Sequence, residues 1–143
     1  MYLYFYVSLI CFIQKVNMAS VYVGTSLLNV EQARQIISKF RSYGVNISYD
    51  WTTSGQVFTI SDLQECGVKE VNGVKNADLF FMIHPARFGT HVELGIAIAC
   101  DKPVIMVTNH NVLEQKTFYH LHNVFSFVSI DEGFAFALRK LLN

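Results

Sequence analysis

The chain has 143 residues with 11 Lys+Arg against 11 Asp+Glu, a formal net charge of zero. That balance excludes the basic excess that binding to a nucleic-acid backbone requires. With 52% apolar and 15% charged residues, a disordered chain is excluded too.

Much of the apolar surplus lies in residues 1–17, MYLYFYVSLICFIQKVN, whose one charge is Lys15. Met1–Ile13 falls short of the roughly 18–20 residues that cross a bilayer as a helix. The stretch also lacks the basic start and cleavage site of a signal peptide. We read Met18 as the native start, because an ordinary first strand begins directly after it; an added edge strand or a membrane-proximal segment are the alternatives. Residues 18–143 are then expected to form one domain. Cys11, Cys66 and Cys100 are odd in number and widely spaced, with no C-x-x-C pair. A reduced, cytoplasmic protein is the expectation, with no chemistry assigned to the thiols.

From Ser20 onward strand and helix signals alternate. Val21-Tyr22-Val23 ends at Gly24, and Asn29, with Gln32 as a capping-box partner, opens a helix to about Tyr43 that stops at Gly44. Val45, Ile47, Tyr49 and Trp51 alternate as in a second strand, followed by the polar loop Thr52–Gln56. Ser61 with Gln64 caps a helical stretch to about Asn76, which Gly67 and Gly73 weaken and are expected to break. Leu79–Ile83 is a continuous apolar run after Asp78, the pattern of a strand covered on both faces. Thr90–Cys100 is predicted as a helix, Pro103–Val107 and Val124–Val128 as strands. Ser129 with Glu132 caps a last helix ending at Leu142, its stripe being Phe134, Ala135, Leu138, Leu141 and Leu142.

The order β-α-β-α-β-α-β-β-α argues for one doubly wound α/β domain with a mostly parallel, five-stranded sheet. In such sheets ligands bind beyond the carboxyl ends of the strands, where strand order reverses. The loops 24–29, 51–58, 84–90 and 108–120 are therefore the candidates.

Those loops exclude several chemistries. A single glycine in Gly24–Asn29 disfavours a dinucleotide fingerprint, and there is no P-loop and no G-x-S-x-G elbow. Thr25, Ser26 and Asn29 either hold a phosphate or sugar or merely turn the chain. His110, His120 and His122 lie near one another in sequence without an Asp, Glu or Cys to complete a metal set, so no metal is expected. The most informative segment is Phe88-Gly89-Thr90-His91-Val92-Glu93-Leu94-Gly95. With a helix start near Thr90, Glu93 sits in the first turn, where the helix dipole favours an ionised carboxylate, a potential nucleophile. The same spacing reads equally as a capping box between Thr90 and Glu93. Gly95, costly inside a helix by roughly 1 kcal/mol relative to Ala, points to a close approach there.

Three segments in order, Val21-Tyr22-Val23-Gly24, Glu70–Asp78 and Gly89–Ala97, with Lys102-Pro103-Val104 following, resemble the nucleoside 2-deoxyribosyltransferase-like superfamily, which includes deoxyribosyltransferases and deoxynucleoside 5′-monophosphate N-glycosidases. The resemblance covers most of residues 20–128 and implies a Rossmann- or flavodoxin-like α/β sandwich. It places Glu93 on the family's nucleophile, Tyr22 on the tyrosine that orients it, and Glu70 where an aspartate usually assists the leaving base. Glu70 is expected to reach the site only if the chain breaks near Gly67. With a continuous helix it becomes a surface charge, and Asp50 or a histidine becomes the acid. The substrate-binding set is Gly24, Thr25, Ser26, Trp51, Arg87, Phe88 and Gly89. Arg87 suits a 5′-phosphate or is an exposed loop charge; Phe88 and Trp51 stack on a base or pack in the core. His84-Pro85-Ala86-Arg87-Phe88 replaces the aspartate or serine the family tends to carry there. By the same resemblance Thr117–Asn123 lies where a neighbouring subunit's site is reached, implying a homodimer or larger homo-oligomer.

The expected function is cleavage of the N-glycosidic bond of a nucleoside 5′-monophosphate or nucleoside, with transfer to water or another base. The partner is a small nucleoside or nucleotide, with no nucleic-acid polymer, membrane or cofactor. A non-catalytic nucleotide- or metabolite-binding module is the alternative.

Overall fold

The run Leu79–Ile83 forms strand β3, and all five of its residues are buried, as a strand covered on both faces requires. Around it the computed structural model, which describes residues 19–55, 59–108 and 117–143, places β1 (Ser20–Gly24), β2 (Asn46–Ile47), β4 (Val104–Val107) and β5 (Val124–Phe127). Expectations for residues 1–17, Met18, Cys11, Gln56 and His110 lie outside the described residues. The sheet is parallel throughout, in the order β2-β1-β3-β4-β5. This is the doubly wound arrangement whose switch point lies between β1 and β3.

Four helices cover the sheet: α1 (Val30–Ser42), α2 (Ile60–Asn76), α3 (Phe88–Ala99) and α4 (Ile130–Leu142). Side chains alternate across a strand, so Val21 and Val23 join Phe40 of α1 and Phe134 of α4 in one core. Tyr22 points the other way, to Val74 of α2 and Leu94 of α3 in a second core. The nucleophile candidate and its tyrosine thus share a face of the sheet. No helix among the described residues is long and apolar enough to cross a membrane.

Several local expectations are corrected. The second strand is two residues long instead of reaching Trp51. Asp50 accepts from the Thr52 N–H and hydroxyl, starting a short 3-10 turn over Trp51–Thr53. Trp51 Nε1 donates to the Val23 carbonyl at 2.7 Å. Ile47 is held by its parallel pairing with Val21, whereas Trp51, beyond the strand, is held by this side-chain bond. Asn29 stands at the N-cap of α1 without a side-chain cap bond, its amide reaching the His84 carbonyl instead. Gly44 ends the helix region in the left-handed conformation, φ +76°.

The capping box of α2 is Thr59 with Asp62, not Ser61 with Gln64, and the helix runs unbroken through Gly67 and Gly73. Gly73 is where α2 meets the sheet: a Cβ there would lie 2.6 Å from Tyr49 Cβ and 3.0 Å from the Tyr22 ring. Helix α3 begins at Phe88, two residues before the predicted start, with Arg87 as N-cap; Thr90 is buried within the helix and caps nothing. The capping box of α4 forms on its Ser129 side, the hydroxyl accepting from the Glu132 N–H at 3.4 Å. Its buried stripe is Phe134 and Ala137, while Ala135 and Leu142 are exposed.

Candidate functional site

Tyr22 stands in mid-strand β1 with no solvent exposure, and its hydroxyl donates to Glu93 Oε1 at 2.7 Å. Burial, reinforced by the Glu93 carboxyl, pushes the phenol far above its ordinary range, so it remains a donor at every pH of interest. The other oxygen, Oε2, lies over Gly24, where a Cβ would sit 2.7 Å away. One strand therefore supplies both the donor that holds Glu93 and the gap that admits it.

Glu93 lies in the second turn of α3, because that helix starts earlier than its spacing predicted. It is removed from the first-turn amides, and the dipole does not hold it ionised. Burial pushes its carboxyl up to about 8; the Tyr22 hydrogen bond works downward and the charge of Glu70 upward. Glu70 enters the same cavity although α2 is continuous, which corrects the expectation that only a broken helix delivers it. The close pass of α2 over Tyr22 at Gly73 carries Glu70, one turn earlier, to the cavity wall. Burial raises its carboxyl above the ordinary range as well. Asp50, the alternative acid, is engaged elsewhere: Oδ1 accepts from Thr52 and Oδ2 from Arg41 at 2.9 Å.

The cavity measures about 410 Å³ and opens at the carboxyl ends of β1 and β3. Thr25, Ser26, Leu27 and Leu28 from the turn after β1 form one wall, Trp51 and Glu70 another, and Arg87, Gly89, Thr90 and Glu93 the third. Ser26 is 3% exposed, and its hydroxyl has no hydrogen-bond partner among the described residues. Buried polar groups are normally paired, so this oxygen marks a place for a ligand atom. Phe88, expected here, is 93% exposed and absent from the wall, since the first residue of α3 faces away from the sheet. Thr25, Ser26, Trp51, Glu70, Arg87, Gly89 and Glu93 line the cavity as expected, while Tyr22 and Gly24 stand behind the wall in contact with Glu93. Leu27, Leu28 and Thr90 were not anticipated; two consecutive leucines in an otherwise small, polar turn were the available signal for the first two.

A larger cavity of about 590 Å³ lies on the other flank of α3, bounded by Leu94, Gly95, Ile98 and Ala99 and by Thr117–Tyr119, with His91 at one end. Among the described residues no carboxylate lines it, and Glu70 and Glu93 lie in the smaller one. Nothing among the described residues comes within 4 Å of a Cβ built at Gly95, so the close approach expected there is not found. Among the described residues no three His, Cys, Asp or Glu side chains are grouped to hold a metal ion.

No family model matches the sequence, and no curated protein matches it. Among solved structures the chain is similar to the CMP N-glycosidase BcmB of Clostridium botulinum. The TM-score is 0.56 at 19% identity, covering 84% of this chain and 98% of that one. It is similar also to BlsM, known from a solution structure, with a TM-score of 0.59 at 21% identity and 88% of each chain covered. The likeness establishes the fold, a five-stranded parallel α/β sandwich, and this is the fold implied by the resemblance to the nucleoside 2-deoxyribosyltransferase-like superfamily.

Proposed function

We propose that the chain cleaves the N-glycosidic bond of a nucleoside 5′-monophosphate or nucleoside, with Glu93 as nucleophile. The observation that carries this reading is the 2.7 Å bond from the Tyr22 hydroxyl to Glu93 Oε1, with the Glu70 carboxyl in the same cavity. A retaining displacement needs one ionised carboxylate to attack and a second carboxyl to give a proton. Glu93 Oε2, the oxygen not bound by Tyr22, attacks the anomeric carbon as the carbon–nitrogen bond breaks. The bonding pair goes to the base, which takes a proton from Glu70. Glu70, now a carboxylate, takes a proton from water as that water attacks the same carbon, releasing Glu93. With a second base in place of water the outcome is transfer.

Arg87 supports a monophosphate, being the one cation among the described residues of a cavity wall that also holds Ser26 and Gly89, the latter near the start of α3. The printed name of one structural neighbour, a CMP N-glycosidase, supports the same ligand class. Trp51 supplies an aromatic surface for a base. Free thiols at Cys66 and Cys100 support a reduced, cytoplasmic setting. Exposed Phe88, Val92 and Phe118 on and beside α3 support a homo-oligomer, which sedimentation would measure.

The test is to incubate the chain with nucleosides and their 5′-monophosphates and assay free base. Release is expected and is abolished by Glu93→Ala; release undiminished in that variant refutes the assignment. One observation favours a second reading, a non-catalytic nucleotide-binding module: with its carboxyl pushed up to about 8, Glu93 is mainly protonated at neutral pH. Tight nucleotide binding without base release across the pH range would establish that reading.

A further inference from the structure

His91 lies two residues before Glu93 on α3 yet lines the other cavity. Its ring Nδ1 is 2.9 Å from the Arg87 carbonyl, which also accepts from the His91 backbone N–H at 3.0 Å. A carbonyl can only accept, so Nδ1 carries a proton, and Nε2 is left to meet the Tyr119 hydroxyl at 2.6 Å. The two rings lie nearly parallel, 16° between planes, and Tyr119 is 5% exposed. The His84 ring packs edge-on against Tyr119 with centroids 5.7 Å apart.

These contacts enclose residues 84–87, the turn that delivers Arg87 to the nucleotide cavity. Its start is held by the His84 N–H donating to the Val107 carbonyl at 2.9 Å, and its middle by the Ser26 N–H donating to the Pro85 carbonyl at 3.3 Å. Its end, where Arg87 turns into α3 as N-cap with no side-chain cap of its own, is held by His91. The wall against which His91 rests comes from the connection between β4 and β5, through Tyr119.

We propose that His91, backed by Tyr119, is a positioning residue that fixes the Arg87 carbonyl and so the direction from which the Arg87 guanidinium and the first amides of α3 meet an anionic ligand group. It touches no reacting atom. This rests on the proposed nucleotide site and adds a residue on the opposite flank of the nucleophile helix that governs affinity for the anion.

The test compares CMP with cytidine, which lacks the phosphate, by calorimetry on the full chain, with base release assayed in parallel. His91→Phe keeps a ring against Tyr119 and removes the donor. It is expected to weaken CMP about tenfold and cytidine less than twofold, and under turnover to raise KM for the monophosphate with kcat unchanged. His91→Asn places an amide where Nδ1 stood and is expected to restore most CMP affinity; His91→Gln reaches toward Tyr119 instead and is not. Equal losses for CMP and cytidine, no loss in His91→Phe, or Asn no better than Gln overturns the proposal, as does a wild-type chain that binds CMP no better than cytidine. Base release by the wild type bears on the proposed function alone, so the two failures are distinguishable.

Discussion

Gly24 and Glu93 occupy adjoining space to the limit of contact, since a methyl group at position 24 would lie 2.7 Å from Glu93 Oε2 and 2.6 Å from the Phe80 ring. Gly24→Ala is therefore expected to displace the carboxylate or the core ring behind it. Strain of that kind costs about 1–3 kcal/mol. A lowered melting temperature together with a loss of base release exceeding the loss of folded protein would show both effects; unchanged activity would contradict the placement of Glu93.

Removing the hydroxyl that holds the carboxyl separates orientation from packing. Tyr22→Phe keeps the ring between Val74 and Phe80 and deletes the bond to Glu93. A drop in kcat of about tenfold to a hundredfold is expected, with KM little changed. That bond also holds the Glu93 pKa down, so the rising limb of the variant's pH profile shifts to more alkaline pH.

The pH dependence of the wild type follows from Glu93 itself. Its carboxyl must be ionised to attack and is pushed up to about 8. Because Glu93 must be ionised while Glu70 still carries the proton it donates, kcat/KM is expected to follow a bell, rising about tenfold per pH unit on its acid limb and falling again on its alkaline one. Stability runs the other way. The folded carboxyl keeps its proton to about 8 and the unfolded one loses it near 4.5, so between these values the unfolded state binds fewer protons and stability falls as pH rises. Melting curves of Glu93→Gln and wild type are expected to coincide near pH 4 and to separate progressively up to about pH 8, with the variant the more stable.

Glu70 is assigned proton donation, and that role depends on the leaving group. Glu70→Gln is expected to lower kcat about a hundredfold for a natural base and far less for a glycoside whose leaving group needs no proton. Similar losses on both substrates would show that Glu70 acts in binding instead.

Much of this arrangement was legible from residue pattern. The alternation of strands and helices and the buried run at Leu79–Ile83 follow from periodicity, and the approach of Tyr22 to Glu93 from the family resemblance alone. Other features rest on contacts between elements that periodicity does not encode. Gly67 and Gly73 have the same intrinsic cost in a helix, but only Gly73 lies against Tyr22 and Tyr49, and that contact brings Glu70 to the site along an unbroken helix. The spacing Thr90-x-x-Glu93 imitates a capping box and so points to a helix start two residues later than Phe88, whereas Thr90 is buried and Glu93 is bound by Tyr22. Phe88, placed in the site by sequence, faces outward as a result of that earlier start.

The Trp51 anchor has a consequence for how this scaffold tolerates change. Trp51 Nε1 is bonded to the carbonyl of Val23, the residue after Tyr22, while Asp50 is tied to Arg41 of α1. The aromatic wall and the tyrosine that orients the carboxylate are thus referenced to a single strand. A displacement of β1 would therefore carry both together, and the span between the aromatic surface and the carboxylate's hydrogen-bond donor stays constant as the strand moves.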